Sequence, residues 1–440
     1  MNNKAVLVVG GGIAGIQASL DLANRGFTVY LLEKSPSIGG RMAQLDKTFP
    51  TMDCSICILA PKMVECLRHH NIKLLTYSEL KEVTGSAGNF KVKILQKPRF
   101  VDLERCTGCG ACTEKCPVKV PSEFDMGMGM RKAIYMPFPQ AVPRVSTIDK
   151  DHCLYFQKGV CRVCEKICPA QAIDFNQKPK EISLNVSSII LATGLELYDP
   201  SPISEYGYKR YKNVLLSLQF ERLVNASGPT RGKVLKPSDG NPPRRIVFIQ
   251  CVGSRTQGKG YPYCSSVCCM YATKEAILIR EHEPECEVYI LYMDMRVYGK
   301  RFQEFVSRAR DQWGVKYING RAAAVIENPR TKELTVRYEN ISEGRIEELN
   351  ADIVVLCPAL TPRKDNKDLA EILGLELDEY GFFKTKDPLL KSVDTNVDGV
   401  FVCGYCQGPK DISESVIQAS AAAAKAAEVA ATTVREEVSL

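Results

Sequence analysis

Between Cys251 and Cys269 the chain carries four cysteines in the order Cys251, twelve residues, Cys264, three residues, Cys268-Cys269. Four thiolates so grouped suit an iron–sulfur cluster, because soft sulfur ligands select iron and sulfide. Their position matters as much as their number. The apolar run Ile246-Val247-Phe248-Ile249 reads as a buried strand before them, and a helix is expected from about Met270 to Glu281 after them. A strand–turn–helix of this kind ordinarily binds a dinucleotide through a glycine-rich turn, where pyrophosphate meets backbone N–H groups at the helix N-terminus. Here cysteines occupy the turn. A place built for hydride delivery reads as one for single electrons.

A second group of eight cysteines forms two runs. The first is Cys106-x2-Cys109-x2-Cys112-x3-Cys116-Pro117, and the second is Cys153-x7-Cys161-x2-Cys164-x3-Cys168-Pro169. In two-cluster ferredoxins the fourth cysteine of each run ligates the other run's cluster. That rule predicts one [4Fe-4S] cluster on Cys106, Cys109, Cys112 and Cys168, and another on Cys153, Cys161, Cys164 and Cys116. A zinc ribbon would need only two pairs and leaves the runs and trailing prolines without a reason. Residues 118–150, rich in Met, Pro and Gly, connect the halves. Met126 to Met136 reads as loop packing, with a docking surface as the sharper alternative.

The remaining cysteines are Cys54, Cys57, Cys66, Cys286, Cys357, Cys403 and Cys406. Buried inert thiols are the plainest reading, since free cysteine packs as a small apolar residue. The Cys54-x2-Cys57 pair also reads as a redox disulfide or as cluster ligands. Were it to meet Cys403-x2-Cys406 in space, the four could hold a fourth cluster. His69-His70 and His152 lack spaced partners and read as solvated or structural.

At the N-terminus, Lys4 to Val9 is a short apolar strand, Gly10-Gly11-Gly12-Ile13-Ala14-Gly15 is G-x-G-x-x-G, and a helix comes next. Thr28 to Leu32 makes the second strand and ends at Glu33, with Lys34 beside it. Gly10 permits the tight turn, Gly12 the approach of the pyrophosphate, and Gly15 close helix–strand packing, while Glu33 is placed to accept from a ribose. Three segments beyond Glu33 favour FAD over NAD. Gly39-Gly40-Arg41 resembles the second glycine pair of glutathione-reductase-type flavoproteins, and Ile189-Ile190-Leu191-Ala192-Thr193-Gly194 resembles their A-T-G strand end. Gly399-Val400-Phe401-Val402-Cys403-Gly404 resembles their last FAD-contacting strand, except that Tyr405 stands where an acid is expected. Asp411, with Ile412 after it, is the substitute candidate for the ribitol contact. Lys274, one helical turn beyond Cys269, is the candidate catalytic side chain, because a cation near the flavin stabilises its anionic reduced form. A solvated surface lysine is the bland reading of the same residue.

Composition excludes several classes. Nineteen cysteines without an export signal point to metal or redox use rather than disulfides. A net charge of +7 without a basic block gives no case for nucleic acid. No apolar run is long enough for a membrane span, so a cytoplasmic protein is expected, associated with membranes only through partners. The elements order into an FAD-binding lobe (1–97), an inserted ferredoxin domain (98–180), the lobe resumed (181–243), a former NAD(P)-type lobe with the third cluster (244–350), and the end of the FAD lobe (351–440). Within them Val288 to Met293 and Asp352 to Cys357 read as strands, and the Ala-rich stretch from Ile412 to Val434 as a closing helix. The fold class is α/β, a thioredoxin-reductase-like two-lobe FAD flavoprotein with Rossmann-type lobes and an inserted two-[4Fe-4S] ferredoxin.

Taken together, Gly10 to Gly15, Asp53-Cys54-Ser55-Ile56-Cys57-Ile58-Leu59-Ala60-Pro61-Lys62, the inserted ferredoxin, the 251–269 cysteines and Gln407-Gly408-Pro409-Lys410-Asp411-Ile412 resemble the A subunit of heterodisulfide reductases. The resemblance implies a non-covalent FAD beside a cubane on Cys251, Cys264, Cys268 and Cys269, three [4Fe-4S] clusters in all, and an oxidoreductase working within a multi-subunit complex. It implies partners of several kinds: HdrB- and HdrC-like subunits, a hydrogenase- or formate-dehydrogenase-linked subunit, a membrane quinone-linked subunit, and ferredoxin. A hetero-oligomer is expected, with room for a homodimeric core. In methanogens the family bifurcates electron pairs. This sequence departs from the long members by starting at the flavin strand and by ending at Leu440 without their C-terminal ferredoxin, which puts bifurcation in doubt. The A subunit of quinone-interacting oxidoreductases of sulfate reducers is the shorter resemblance. A self-contained NAD(P)H-dependent ferredoxin reductase competes, but a second G-x-G-x-x-G is missing. A scaffold with purely structural clusters leaves the flavin site unexplained.

Overall fold

The computed structural model describes the backbone of residues 5–438. Its first sheet is parallel, in the order Val400–Val402, Ser188–Leu191, Ala5–Val9, Thr28–Glu33, Ile72–Thr76. The strand Ala5–Val9 is buried throughout, as a strand covered on both faces must be. Its alternate residues serve two cores. Val6 and Val8 pack with the helices Ile13–Asn24 and Ile412–Val438, whereas Ala5, Leu7 and Val9 meet Leu80, Phe90, Val92 and Ile94 of an antiparallel sheet. That sheet runs Lys180–Val186, Asn89–Gln96, Ser78–Ser86.

The second lobe is a seven-stranded sheet in the order Val214–Leu216, Ile353–Pro358, Arg245–Val252, Glu287–Tyr292, Lys316–Glu327, Leu334–Asn340, Arg345–Ala351. The first five are parallel and the last two form an antiparallel excursion. This sheet draws on more of the chain than 244–350: Val214–Leu216 and Ile353–Pro358, assigned from sequence to the flanking FAD segments, pair inside it. The reason is that Ile353–Pro358 is fully buried and needs a neighbour on both edges, which Val214–Leu216 and Arg245–Val252 provide. Ile246 and Phe248 face the helices Cys268–His282 and Phe302–Asp311.

The insert has only short helices, Ala111–Lys115, Leu154–Lys158 and Val163–Lys166, around nine buried apolar residues. So small a core rarely holds a segment of this length by itself, and cysteines of both runs pack against it. The long connection between the runs is not slack. Phe124 stacks on Phe138, and Arg222 of the helix Ser217–Val224 reaches Asp125 (3.0 Å) and the Gln44 carbonyl (3.0 Å) from a side chain 1% exposed. Arg222 thereby joins insert, first lobe and second lobe. Met126 lies against Arg41, and its carbonyl accepts from Gln219, whereas Met130 is exposed, so this stretch packs at its start and reaches solvent further on. Among the described residues no helix is long and apolar enough to cross a membrane.

Candidate functional site

A cavity of about 910 Å³ opens where the two lobes and the insert meet. Gly10, Gly12, Ile13, Ala14, Glu33, Lys34, Gly40, Arg41, Thr193, Gly194, Gly404, Asp411 and Ile412 all line it. Gly15 does not line it, yet it explains the cavity's shape: a Cβ there would sit 1.8 Å from the Gly10 carbonyl, so the helix could not approach the strand. Gly10 itself has φ +110°, a conformation open to glycine. A Cβ on Gly40 would come within 2.9 Å of the Gly12 Cα, so two backbone segments approach where a pyrophosphate needs bare amides. The Glu33 carboxylate accepts from the Gly11 N–H (2.7 Å) and the Ser35 N–H (2.7 Å), which fixes it at the end of its strand beside the ribose position. This cradle fits FAD.

Asp411 has another occupation. Its Oδ1 accepts from the Glu414 N–H (2.8 Å) while Glu414 Oε2 accepts from the Asp411 N–H (2.8 Å), a reciprocal cap on the helix Ile412–Val438. The residue therefore aims the helix's positive end at the cavity, where Ile412, Ser413 and Ser415 are also exposed to it. The absent acid is replaced by this helix end, and Tyr405 turns away from the polar task. Its hydroxyl donates to the Ser265 carbonyl (3.3 Å) and the Leu360 carbonyl (3.4 Å).

The 251–269 loop begins where the strand Arg245–Val252 breaks register, and Cys251 sits at φ +58°. A cysteine in left-handed backbone costs on the order of 1–3 kcal/mol and points to a side chain that is needed there. The helix expected from Met270 starts two residues earlier, at Cys268, so Cys268 and Cys269 occupy its first turn. Helix N–H groups favour thiolates at that place. Burial, then the neighbouring Cys269 and Cys264, pushes the Cys251 thiol up to about 11, and burial does the same more strongly to Cys268. The four sulfurs are thus close enough to repel one another as anions. Iron supplies the compensating charge such a group needs, and the donor set fits a cubane.

Lys274 is not a surface lysine. It is 1% exposed, lies in the cavity wall and is ion-paired with Glu221, whose carboxylate also accepts from the Asp46 N–H (2.9 Å). Burial lowers its pKa against the pull of Glu275 and Asp46, and burial raises that of Glu275. Lys410, which sequence reasoning named only within a motif, is a second, half-buried cation in the wall. It donates to the carbonyls of Gly404 (3.0 Å) and Gly408 (2.7 Å) and to Gln407 Oε1 (3.0 Å), and burial pulls it down to about 8. Nothing in its spacing distinguishes it from any other lysine before a helix.

In the insert, Cys106, Cys109, Cys112 and Cys168 line one enclosed cavity with Pro169. Cys164 is pushed up to about 12 by burial and by Cys153, with Cys112 and Cys116 contributing. The chain therefore brings the fourth cysteine of the second run to the first three of the first run. Cys161 lies at φ +79° in the expanded loop. No three His, Cys, Asp or Glu side chains among the described residues converge as a mononuclear metal site requires. A cubane's ligands each bind a different iron, so they need not converge on one point.

The other cysteines divide. Cys66, Cys286, Cys357, Cys403 and Cys406 are buried, and burial raises all their thiols, so they pack as apolar residues. Cys54 and Cys57 are not buried thiols: they are joined as a disulfide at the start of the helix Ser55–Arg68. Paired with each other, they are not free thiols as Cys403 and Cys406 are. His152 pairs with Asp149 (2.8 Å) and His69 stacks on His70, both structural roles.

Three family models match the chain: NAD(P)-binding Rossmann-like domain over 8–61, 4Fe-4S binding domain over 99–122, and pyridine nucleotide-disulphide oxidoreductase over 264–426. The iron-sulfur A subunit of the CoB–CoM heterodisulfide reductase of Methanocaldococcus jannaschii is 55% identical over 421 residues, which is 96% of this chain and 63% of that protein. The A subunit of the H(2):CoB-CoM heterodisulfide,ferredoxin reductase of Methanothermobacter marburgensis is 54% identical over 427 residues, 97% of this chain and 64% of that protein. The A subunit of the ferredoxin:CoB-CoM heterodisulfide reductase of Methanosarcina mazei is 44% identical over 424 residues, 96% of this chain and 53% of that protein. The chain thus spans somewhat less than two thirds of these relatives. Thioredoxin reductases of T. acidophilum (TM-score 0.53, 14% identity, 97% of this chain and 98% of that) and Lactococcus lactis (0.53, 15%, 98% and 99%) share the fold.

Proposed function

The chain belongs to the family of heterodisulfide reductase A subunits, and from that premise we propose that it is the FAD- and iron–sulfur-containing electron-transfer subunit of an oxidoreductase complex of that kind. The observation that carries this reading is a shared wall: Val267 and Tyr271, on either side of Cys268 and Cys269, also line the dinucleotide cavity. FAD supplies two-electron redox chemistry when bound, and cubane clusters supply one-electron steps.

The chain's own residues do the rest. Gly10, Gly12 and Gly40 keep amides bare for the pyrophosphate, and Glu33 holds the ribose. Lys274, with Glu221 behind it, keeps a cation in a dry wall, where charge is weakly screened. Tyr405 and Leu360 pack between the cavity and the cysteine loop and exclude water there. Cys251, Cys264, Cys268 and Cys269 would hold one cluster, and Cys106, Cys109, Cys112, Cys168 and Cys153, Cys161, Cys164, Cys116 the other two. The insert would pass electrons to or from partner subunits in the cytoplasm, with any membrane contact made through a partner.

Protein prepared without oxygen is expected to hold about twelve irons and one FAD per chain, and its flavin should not bleach with NADH or NADPH. About eight irons together with rapid bleaching would instead favour a self-contained NAD(P)H-dependent reductase.

A further inference from the structure

We propose that Cys54–Cys57 is a thiol–disulfide exchange site, opened by an external dithiol that attacks the Cys57 sulfur. The exchange needs only the geometry of this pair, whatever complex the chain serves.

Cys57 is exposed and Cys54 half-buried, with their Cα atoms 5.3 Å apart. The two ends of the bond are chemically unequal. Cys54 is the N-cap of a 14-residue helix, and its sulfur accepts the Cys57 N–H at 3.3 Å. A thiolate released there is held by a backbone donor and the helix's positive end, which makes Cys54 the better leaving group. Cys57 is the sulfur that solvent and a nucleophile reach. The other cysteines near the dinucleotide cavity, Cys403 and Cys406, are fully buried, whereas Cys57 faces solvent.

In the first step a thiolate of the dithiol forms a mixed disulfide with Cys57, the Cys54–Cys57 bond breaks, and its electron pair leaves on Cys54, which takes a proton from solvent. The second thiol of the reagent then closes its own disulfide and releases the Cys57 thiolate. The protein gains two electrons and the dithiol loses two. The bond sits at the base of a hairpin, where Lys47 and Cys54 pair as a β-bridge and the Thr48 N–H donates to the Asp53 carbonyl (2.8 Å). Lys47, Thr48 and Phe49 of that hairpin wall the cavity, and Phe49 packs edge-on against Phe302 of the second lobe (5.6 Å). The redox state of the pair is therefore placed to be felt at the dinucleotide site.

The test uses the full chain with its clusters, equilibrated without oxygen in reduced and oxidised dithiothreitol at set ratios. After acid quenching, free thiols are alkylated with one reagent and disulfide thiols, after reduction, with a heavier one. The tryptic peptide spanning 48–62 carries both cysteines and no other, so its masses read this pair alone. It should pass from 10% to 90% reduced over about an 80-fold change in ratio, as a two-electron couple does. In addition, when glutathione opens the bond, the mixed disulfide trapped by acid should lie on Cys57 at least about tenfold more than on Cys54. A peptide that is fully alkylated at every ratio, that becomes alkylated only when iron is chelated away, or that stays oxidised throughout overturns the proposal. So does glutathione trapped equally on the two cysteines.

Discussion

Two lysines in the wall of the dinucleotide cavity, Lys274 buried and Lys410 half-buried, differ in how they are held. Lys274 is paired with Glu221, so Lys274→Met removes a cation and strands a buried carboxylate, a loss of about 3–5 kcal/mol; the companion Glu221→Gln limits that damage. The flavin midpoint potential should fall in Lys274→Met, where an anionic reduced form loses its counter-charge, and change less in the double variant, which removes both charges of the pair. An unchanged redox titration removes Lys274 from the mechanism. Lys410 is held by neutral oxygens, and its pKa of about 8 lies below the ordinary 10.5. Between those values the unfolded chain binds more protons than the folded one, so this residue makes stability rise with pH across that window. Urea melts from pH 8 to 10.5 should show a smaller rise for Lys410→Met than for the parent. The spacing of Lys274 from Cys269 made it visible in the sequence, whereas its burial was not, because burial depends on Glu221 arriving from another helix.

Helix ends, rather than single ligating side chains, shape both ends of this site. The capped start of Ile412–Val438 lies where the missing acid was expected, and the start of Cys268–His282 carries two of the four cysteines proposed to hold a cluster. Asp411→Ala should cost about 1 kcal/mol in stability and reduce FAD retention, while Asp411→Asn, which can still cap, should retain both; melting curves and flavin content of the purified protein decide. Gly15→Ala should be harsher, because its methyl would meet the Gly10 carbonyl at 1.8 Å. It should yield protein without flavin. Strands and helices with strong apolar periodicity were legible almost to the residue: Thr28–Glu33, Glu287–Tyr292 and Ile412–Val438 begin at or within a residue of where the pattern starts. The left-handed backbone at Cys251, Cys161 and Ser266 was not, since a glycine is the usual signal and the chain keeps side chains there.

At the scale of the molecule, the proposed crossed pairing of the two cysteine runs would determine how the insert conducts. Cys168→Ser should remove about four irons and leave the second run's cluster intact in the electron paramagnetic resonance spectrum, and Cys116→Ser should do the reverse. Loss of the cluster belonging to the mutated run instead would show uncrossed ligation. The insert is anchored at more than its ends: Arg99 donates from a buried position to Thr147 (3.0 Å) and the Pro36 carbonyl (2.6 Å), and Arg222 ties the long connection to both lobes. Those ties hold the insert against both lobes.

The sequence by itself determined the chemistry: the cysteine spacing, the glycine turn and the strand–helix order are local, and each comes from what a few consecutive residues can do. The tertiary structure alone decided which groups share a wall. Val214–Leu216 and Ile353–Pro358 join the second sheet, Glu221 meets Lys274 across 53 residues, and Tyr405 reaches the cysteine loop across 140. Contacts of that separation are set by how buried faces find partners in three dimensions, and neighbouring residues carry no record of them.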